Sequence, residues 1–293
     1  MKRTLLLLVC LLSCPALADF PKALTEFSSQ QSEVQFTGRP GHWDAKIRER
    51  GFILHEPGGL YKMWYTGYDG GRDSVKNLGY AVSPDGINWS RLSQPLRNEW
   101  IEDVYVVKHQ DRYHMLAEDR DDHVIYLTSS NGIDWSEPVN IEIQTTKKEA
   151  LSDGPYGTPT FLRKNNRWYL FYERQDLAVW LATSTDLLHW TNVDDNPVLE
   201  LSDKKHESVL LALNQVVRYQ GSYYALYHAT GDREKPRTWT SNIAVSKDLL
   251  HWTKFEDNPI LPSAHNRSSP LFVNSGGGLR LYTTHDSVQW HRP

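Results

Sequence analysis

Acidic residues stand at four separate points of the 293-residue chain where a carboxyl group could take part in acid–base chemistry. They are Asp44, Asp103, Asp153 and Glu207, and each lies in a polar stretch just before a β-like run. Two carboxyl groups that face one molecule can divide the work, because one donates a proton while the other accepts a proton or attacks carbon. Residues so far apart form one site only if the fold brings distant segments together.

The same polar stretches, and the ends of aromatic runs, contain cations, histidines and aromatic residues that could bind a ligand. This mixture suits a neutral, polyhydroxylated ligand, because hydroxyl groups both donate and accept hydrogen bonds. Each of these residues could equally be a solvated turn residue or part of a structural ion pair. The predicted ligand-binding residues are Trp43, Arg48, Glu49, Trp100, Glu102, Glu118, Thr158, Glu173, His228, Arg267 and His285.

A sequence repeat indicates which elements position these residues. Residues 83–89, 129–135, 184–190 and 246–252 each combine a turn signal with a final tryptophan. An aromatic strand precedes each of them, starting at residues 61, 113, 168 and 223, and a degenerate fifth copy starts at residue 279. The nearly constant spacing of about 55 residues is typical of a repeat architecture.

Four strands in each repeat predict an all-β chain that forms a single five-bladed β-propeller with four-stranded antiparallel blades. A β-sandwich is the alternative, but a sandwich does not require equal spacing. The last copy is short, and an open ring would expose a strand edge. We therefore expect the segment around residues 33–36 to close the last blade, with residues 19–43 as an N-terminal arm of a domain that spans residues 19–293.

The repeated turns predict structural roles for their own residues. Asp85, Asp186 and Asp248 stand where a carboxylate can cap the turn by accepting backbone hydrogen bonds. The tryptophans that end the repeats are predicted to pack between neighbouring blades. Trp239 falls outside the repeat, so it is a better candidate for stacking on a ligand.

The first 18 residues are expected to be a signal peptide. Lys2 and Arg3 precede a short apolar run, and residues 16–18 (Ala-Leu-Ala) have the small-x-small pattern of a cleavage site. The run is too short to span a membrane, and cleavage would remove both cysteines. A lipid anchor on Cys14 is the alternative, but Pro15 directly after that cysteine argues against it. The chain is therefore predicted to be secreted or periplasmic.

The composition argues against several classes of function. With 32 basic and 36 acidic residues, the formal net charge of −4 gives no electrostatic reason to expect a nucleic-acid partner or an anionic membrane. The histidines match no recognisable metal motif, and no nucleotide signature occurs. We therefore expect a monomer that binds carbohydrate and needs neither a cofactor nor a catalytic metal.

Two segments resemble those of a known superfamily. Residues 61–67 (Tyr-Lys-Met-Trp-Tyr-Thr-Gly) and 81–89 (Ala-Val-Ser-Pro-Asp-Gly-Ile-Asn-Trp), set within five repeats, resemble the five-bladed propeller glycosidases. This superfamily contains glycoside hydrolase families 43 and 32 and related phosphorylases. The resemblance covers essentially the whole mature chain, and it specifies the fold more strongly than the substrate.

The resemblance also implies roles for the carboxylates. Asp44 looks like the base or nucleophile of blade one, and Asp103 resembles the orienting aspartate of blade two. Blade three departs from the family pattern, because Thr158 stands where an acid glutamate is expected. The general acid would then be Asp153 or Glu207, with Glu207 slightly favoured because its His-Glu-Ser segment is expected to face the same funnel.

The sequence therefore predicts a secreted glycoside hydrolase that cleaves an oligo- or polysaccharide. A phosphorylase of the same fold is one alternative, since Lys46, Arg48, Arg50, His265 and Arg267 could form a cationic pocket for phosphate. A propeller that binds carbohydrate without cleaving it is the other.

Overall fold

The computed structural model describes residues 20–27, 33–151 and 156–293. Five small, mainly antiparallel sheets are arranged in a ring, so the chain is the all-β, five-bladed propeller that the repeat predicts. None of the described helices is long and apolar enough to cross a membrane. The predicted signal peptide, residues 1–18, lies outside the described residues and stays a prediction.

Short strands make up nearly all of the described fold. A single helical turn, α1 (Lys22–Thr25), precedes strand β1 (Glu33–Thr37). Blade one contains β2 (Lys46–Ile47), β3 (Phe52–His55), β4 (Tyr61–Tyr68), β5 (Asn77–Ser83) and β6 (Ser90–Arg91). Blade two contains β7 (Glu102–His109), β8 (Arg112–Glu118), β9 (Val124–Ser129) and β10 (Val139–Asn140). Blade three contains β11 (Glu142–Gln144), β12 (Gly157–Lys164), β13 (Arg167–Arg174), β14 (Ala178–Ser184), β15 (His189–Asn192) and β16 (Leu199–Glu200). Blade four contains β17 (Leu210–Tyr219), β18 (Ser222–Thr230), β19 (Thr240–Ser246) and β20 (Thr253–Lys254), and blade five contains β21 (Pro270–Asn274), β22 (Leu279–Thr283) and β23 (Ser287–His291). Two 3₁₀ turns span Lys205–Glu207 and Ser263–His265.

One strand from each blade lies next to the central axis. The strands β3, β7, β12, β17 and β21 contact one another in that order, and β21 contacts β3, which closes the ring. We call these five the inner strands. Because they converge on one axis, residues at their starts come together although they are far apart in the sequence.

Strand β1 completes the fifth blade. It pairs antiparallel with β23, with Glu33 opposite Trp290 and Thr37 opposite Ser287. The sheet order is therefore β1-β23-β22-β21, and the N-terminal strand covers an edge that would otherwise be exposed. This confirms the predicted closing strand.

Blade three differs from the predicted four-stranded antiparallel blade. Its sheet has six strands, because β16 pairs with β14 and β11 runs parallel to β15. Strand β11 belongs to the connection from blade two, which runs along the outer edge of blade three and covers it. Blade one also has an additional strand, because both β2 and β3 pair with β4.

The repeated turns are capped as predicted. The Asp85 carboxylate accepts hydrogen bonds from the backbone N–H groups of Ile87 and Asn88, both at 2.8 Å. Asp186 and Asp248 make the equivalent bonds in blades three and four. These bonds satisfy backbone donors locally, which is why short polar residues recur there. The tryptophans that end the repeats pack against the hydrophobic clusters between blades.

The inner strands are irregular at equivalent points near their starts. The pairing register shifts there in β7, β12 and β17, and blade one is interrupted between β2 and β3. At these points Arg50, Asp103, Thr158 and Ser269 adopt φ values between 50° and 58°. Left-handed backbone at non-glycine residues carries strain, and such strain clusters at active sites. The irregularities surround the axis at the end of the ring where a cavity opens.

Candidate active site

A cavity of about 430 Å³ opens on the axis at the starts of the inner strands, and we call it the funnel. All five blades contribute to its wall, and its size lies in the usual range for a small-molecule site. The wall combines acidic groups with cations and imidazoles. Its carboxylates are those of Glu49, Asp103, Glu118, Asp122, Glu173 and Asp176, and its basic side chains are Arg48, His228, Lys235, Arg237 and His285.

Three carboxyl groups of the funnel are buried and have raised pKa values. Asp103, Glu118 and Glu173 are each less than 10 % exposed. Burial is the largest cause of the raised pKa in all three, because an ionised carboxylate loses its hydration there. The charge of Asp103 further raises the pKa of Glu118, and Asp176 further raises that of Glu173. Such groups hold a proton towards neutral pH and can donate it to a bound ligand.

Glu49 is the acidic group that stays ionised. Burial raises the pKa of its carboxyl, but the nearby charges of Arg48, His285 and His228 outweigh this effect and lower the pKa to about 2. Arg48 Nη1 lies 3.2 Å from Glu49 Oε1, and Arg48 Nε donates a hydrogen bond to Glu102 Oε2 at 2.9 Å. Protonated and ionised carboxyl groups therefore face the same space, as acid–base chemistry requires.

Three buried polar atoms on the funnel wall have no hydrogen-bond partner among the described residues. They are Asp103 Oδ1, Thr158 Oγ1 and Glu173 Oε2. An unpaired buried polar atom costs roughly 1–3 kcal/mol, so this part of the wall is energetically costly to form. Gly157 lets the wall pack closely here, because a Cβ at this position would collide with the Glu118 carboxylate, which accepts a hydrogen bond from Thr158 N–H.

The connection between β18 and β19, residues 231–239, supplies cations and an aromatic ring. Lys235 and Arg237 line the funnel, and within the described ranges neither lies within 4.0 Å of a carboxylate. The Trp239 ring packs edge-on against His228, with their centroids 4.8 Å apart. The backbone N–H of Trp239 donates to Asn266 Oδ1 of blade five at 2.9 Å, which holds the connection against the neighbouring blade. This side of the funnel is suited to an anionic group next to a sugar ring.

Asp44 does not fit its predicted role as base or nucleophile. Its side chain is fully buried and accepts hydrogen bonds from Arg39 Nε at 2.8 Å, Arg91 Nη1 at 2.9 Å and the Tyr65 hydroxyl at 3.0 Å. Burial raises the pKa of Asp44, but these donors outweigh it and lower the pKa. Trp43 stacks on Tyr65 at a centroid distance of 5.9 Å and does not line the funnel either. Both residues therefore make structural contacts in blade one, away from the funnel.

Glu207 likewise does not fit the predicted role of general acid. It is 1 % exposed, accepts hydrogen bonds from the Ser202 hydroxyl and from Tyr227 OH at 2.8 Å, and lies 3.1 Å from Lys254 Nζ. Burial raises the pKa of its carboxyl, but these partners outweigh burial and lower the pKa. An acid needs a proton to give and access to the ligand, and Glu207 is not among the residues that line the funnel.

The other predicted site residues differ in where they lie relative to the funnel. Trp100 donates to Glu102 Oε1 at 2.8 Å, and Glu102 in turn binds Arg48, so this pair supports Arg48 from behind. Arg267 is half-buried and does not line the funnel, and Asp153 lies outside the described residues. The structure does bring together Arg48, Glu49, Asp103, Glu118, Thr158, Glu173, His228 and His285 on the funnel wall.

One group of carboxylates has the composition of a cation site. Oxygen atoms of Glu102, Glu118 and Asp122 lie within 4.8 Å of one another. Arg48 and Trp100 already donate to Glu102, and the Thr158 amide donates to Glu118. Because these donors already occupy oxygen atoms of Glu102 and Glu118, we assign no ion to the three carboxylates.

Replacing Glu173 by glutamine is expected to stabilise the fold at neutral and alkaline pH. The raised pKa of Glu173 means that its contribution to stability is fully present below the unfolded-state pKa near 4.3 and is lost as pH rises through the folded-state pKa. The glutamine variant lacks this loss, so its free energy of unfolding should exceed that of the wild type by about 1 kcal/mol or more at pH 8, with no such gain at pH 4. Urea denaturation at both pH values checks this, with the exposed Glu200→Gln as a matched control. A difference that does not change with pH would contradict the assignment.

Comparison with known proteins relates the chain to proteins that act on mannosides. No protein-family model matches the sequence. A 1,2-β-oligomannan phosphorylase from Thermoanaerobacter sp. (strain X514) is 32% identical over 193 residues, which cover 59% of this chain and 62% of that protein. The chain therefore matches less than two thirds of that relative's length.

Solved structures share the fold at low sequence identity. A glycosyl hydrolase from Bacteroides ovatus is 16% identical with a TM-score of 0.68, over 92% of this chain and 93% of that chain. A β-1,2-mannobiose phosphorylase from Listeria innocua is 14% identical with a TM-score of 0.66, over 91% and 95% of the two chains. A thermostable family-43 glycoside hydrolase has a TM-score of only 0.58 at 16% identity, over 87% and 91%, so the predicted likeness to family 43 is the weaker one. The chain thus has the five-bladed propeller fold of these glycoside-processing proteins.

Proposed function

We propose that the protein cleaves a β-mannosidic bond in the funnel by phosphorolysis, with Asp103 as the general acid. The observation that carries this proposal is the arrangement of the funnel, where buried carboxyl groups with raised pKa values face Lys235, Arg237 and His285. The similarity to a 1,2-β-oligomannan phosphorylase supports the substrate class and favours phosphorolysis over the hydrolysis that the sequence alone predicts.

Phosphorolysis needs one acid and a place for phosphate. Phosphate oxygen attacks the anomeric carbon, the bond from that carbon to the glycosidic oxygen breaks, and the departing oxygen takes a proton from the acid. The products are a sugar 1-phosphate and a shortened sugar. Asp103 suits the role of acid because it lines the funnel and belongs to a carboxyl whose pKa is raised.

The remaining wall residues suit binding. Glu118 and Glu173 lie at the ends of β8 and β13, and they can accept or donate hydrogen bonds to sugar hydroxyls. Trp239 offers an aromatic surface from blade four. Lys235 and Arg237 have the charge that phosphate needs, and a guanidinium can bind two phosphate oxygens at once.

The reaction is tested with β-1,2-mannobiose in the presence and absence of inorganic phosphate. Mannose 1-phosphate, detected by ³¹P NMR, should form only when phosphate is present, and the rate should saturate with phosphate concentration. Lys235→Ala should raise the phosphate KM more than it raises the sugar KM, whereas the exposed Lys147→Ala is a control of equal charge. Absence of product from mannobiose and from longer β-mannosides would contradict the proposal, and binding without product would favour a carbohydrate-binding propeller.

Hydrolysis is the second candidate, because Glu49 is ionised and faces the same funnel as the raised-pKa acids. Such a carboxylate could activate water while a protonated carboxyl serves as acid. In the same assay, free mannose formed at an equal rate with and without phosphate would favour hydrolysis.

A further inference from the structure

Arg50 crosses the axis of the propeller beneath the funnel. Its side chain is only 2 % exposed, and its Nη2 donates hydrogen bonds to Pro159 O at 3.1 Å and Thr160 Oγ1 at 3.2 Å in blade three. Its backbone N–H donates to Ser269 Oγ of blade five at 3.1 Å. An arginine of blade one is therefore held at both ends by other blades.

This network reaches the remaining blades. The Thr160 hydroxyl accepts from Arg50 and donates to Leu213 O of blade four at 3.3 Å. Arg50 Nη1 lies 3.9 Å from Asp103 Oδ2 of blade two. Arg50 thus contacts or faces all four other blades, blade five through its backbone N–H and the rest through its guanidinium, so its position cannot adjust freely.

Arg50 and Asp103 face each other without forming a hydrogen bond. At 3.9 Å the two groups attract each other but are too far apart for a direct hydrogen bond. Neither Arg50 Nη1 nor Asp103 Oδ1 has a hydrogen-bond partner within the part of the chain that the structure describes. The positive charge is therefore fixed near Asp103 Oδ2 without a direct hydrogen bond to it.

The charges around Asp103 make Arg50 the main group that favours its ionised form. Burial and the acids Glu49 and Glu102 raise the pKa of Asp103, whereas Arg50, and more weakly Arg48, lower it. Glu118 also faces Asp103 from β8. Without Arg50, Asp103 would hold its proton more tightly.

We propose that Arg50 is a positioning residue that stabilises the carboxylate formed when Asp103 gives its proton to the departing sugar oxygen. This rests on the proposed acid role of Asp103. The proton moves from the Asp103 carboxyl to the glycosidic oxygen as the carbon–oxygen bond breaks, and the negative charge left behind faces a cation that blade three already holds in place. A fixed charge costs no reorganisation during the reaction.

Removal of this charge should change the strength of the acid in a measurable direction. An opposite charge at this range shifts a carboxyl pKa by about 1–3 units. In Arg50→Gln, Asp103 should keep its proton to higher pH, so the alkaline limb of the kcat profile should move up by at least about one pH unit, and kcat should fall by roughly tenfold or more. In Arg50→Lys the charge remains, so both changes should be smaller.

The test compares wild type, Arg50→Gln and Arg50→Lys, with Arg39→Gln as a matched control. Arg39 also pairs with a buried aspartate but lies off the funnel, so it reports the stability cost of losing such a pair. The pH profile of mannobiose phosphorolysis is measured on protein shown by circular dichroism to be folded. An upward shift in Arg50→Gln, reduced in Arg50→Lys and absent in Arg39→Gln, is expected. An equal loss of activity in all three variants, with the alkaline limb of the kcat pH profile unchanged, would overturn the proposal. Arg50 would then be a structural residue.

A measurement without substrate separates this proposal from the proposed function. The Asp103 carboxyl can be titrated by ¹³C NMR in aspartate-labelled protein, with its signal assigned by loss in Asp103→Asn. A higher titration midpoint in Arg50→Lys or Arg50→Gln than in wild type is expected, with the larger rise in the glutamine variant. An unchanged midpoint in both would overturn the role of Arg50, whereas a shifted midpoint in a protein that turns over no mannoside would remove the proposed reaction and keep the charge effect.

Discussion

Replacing Asp103 by asparagine is expected to lower the rate of mannoside cleavage by at least about 100-fold, because general acid catalysis contributes roughly 10²–10⁴-fold. Asparagine has nearly the same shape but no proton to give at neutral pH. The fold should persist, and stability at neutral pH should be unchanged or higher, since the raised pKa of Asp103 shows that its ionised form is disfavoured in the folded protein. Rates are measured with β-1,2-mannobiose and phosphate over a range of pH.

The control for this experiment is Asp257→Asn, because Asp257 is exposed and lies away from the funnel. That variant should keep the wild-type rate and pH profile. If Asp103→Asn keeps more than about a tenth of the wild-type rate, Asp103 is not the acid, since an acid catalyst contributes at least about 100-fold. Glu118 and Glu173 would then be the remaining buried carboxyl groups to test.

Replacing Asp44 by asparagine is expected to destabilise the fold, whereas the folded protein should keep most of its turnover. The variant leaves Arg39 and Arg91 facing an uncharged amide in a site where Asp44 is fully buried. Removing one partner of a buried ion pair costs about 3–5 kcal/mol. Because the pKa of Asp44 is lowered, the stability that it provides is present above the unfolded-state pKa near 3.9 and is lost as pH falls through the folded-state pKa.

Chemical denaturation of wild type and Asp44→Asn at pH 7 measures this loss. Turnover per folded molecule should stay within a few-fold of wild type, provided that the assay temperature is below the melting transition. A variant with wild-type stability and no turnover would return Asp44 to the mechanism and contradict its placement among the arginines. Arg91→Gln serves as the reciprocal variant, and its stability loss should overlap with that of Asp44→Asn instead of adding to it.

The fold could be predicted from the sequence because each blade contains the same sequence pattern. The turn, tryptophan and aromatic strand recur with nearly constant spacing, and only a ring of equal blades uses such a pattern throughout. The additional strand β11 was not predictable, because it lies in a connection between repeats and outside the repeated pattern.

The acidic residues of blade one show where reading the sequence fails. Asp44 and Glu49 both precede the inner strand and are equivalent by composition. The interruption between β2 and β3 directs Glu49 into the funnel and leaves Asp44 between Arg39 and Arg91. Side-chain direction at a strand irregularity depends on local backbone dihedrals, and no motif in this sequence specifies them.

Four funnel residues were missed because they lie in the connections after aromatic strands. The pattern that could have found them is the presence of charged residues in the same connection of blades two, three and four, since all such connections meet at one end of a propeller. These residues are Asp122, Asp176, Lys235 and Arg237. Glu207 lies away from the funnel wall for a related reason, because the Lys205–Glu207 turn buries it against Tyr227.

The most direct test is a crystal structure of the Asp103→Asn variant soaked with β-1,2-mannobiose. The disaccharide should lie in the funnel, with its glycosidic oxygen about 3 Å from the side-chain amide at position 103 and its hydroxyl groups bonded to Glu118 and Glu173. A disaccharide bound outside the funnel, or bound inside it with the glycosidic oxygen turned away from position 103, would contradict the assignment of this cavity as the active site.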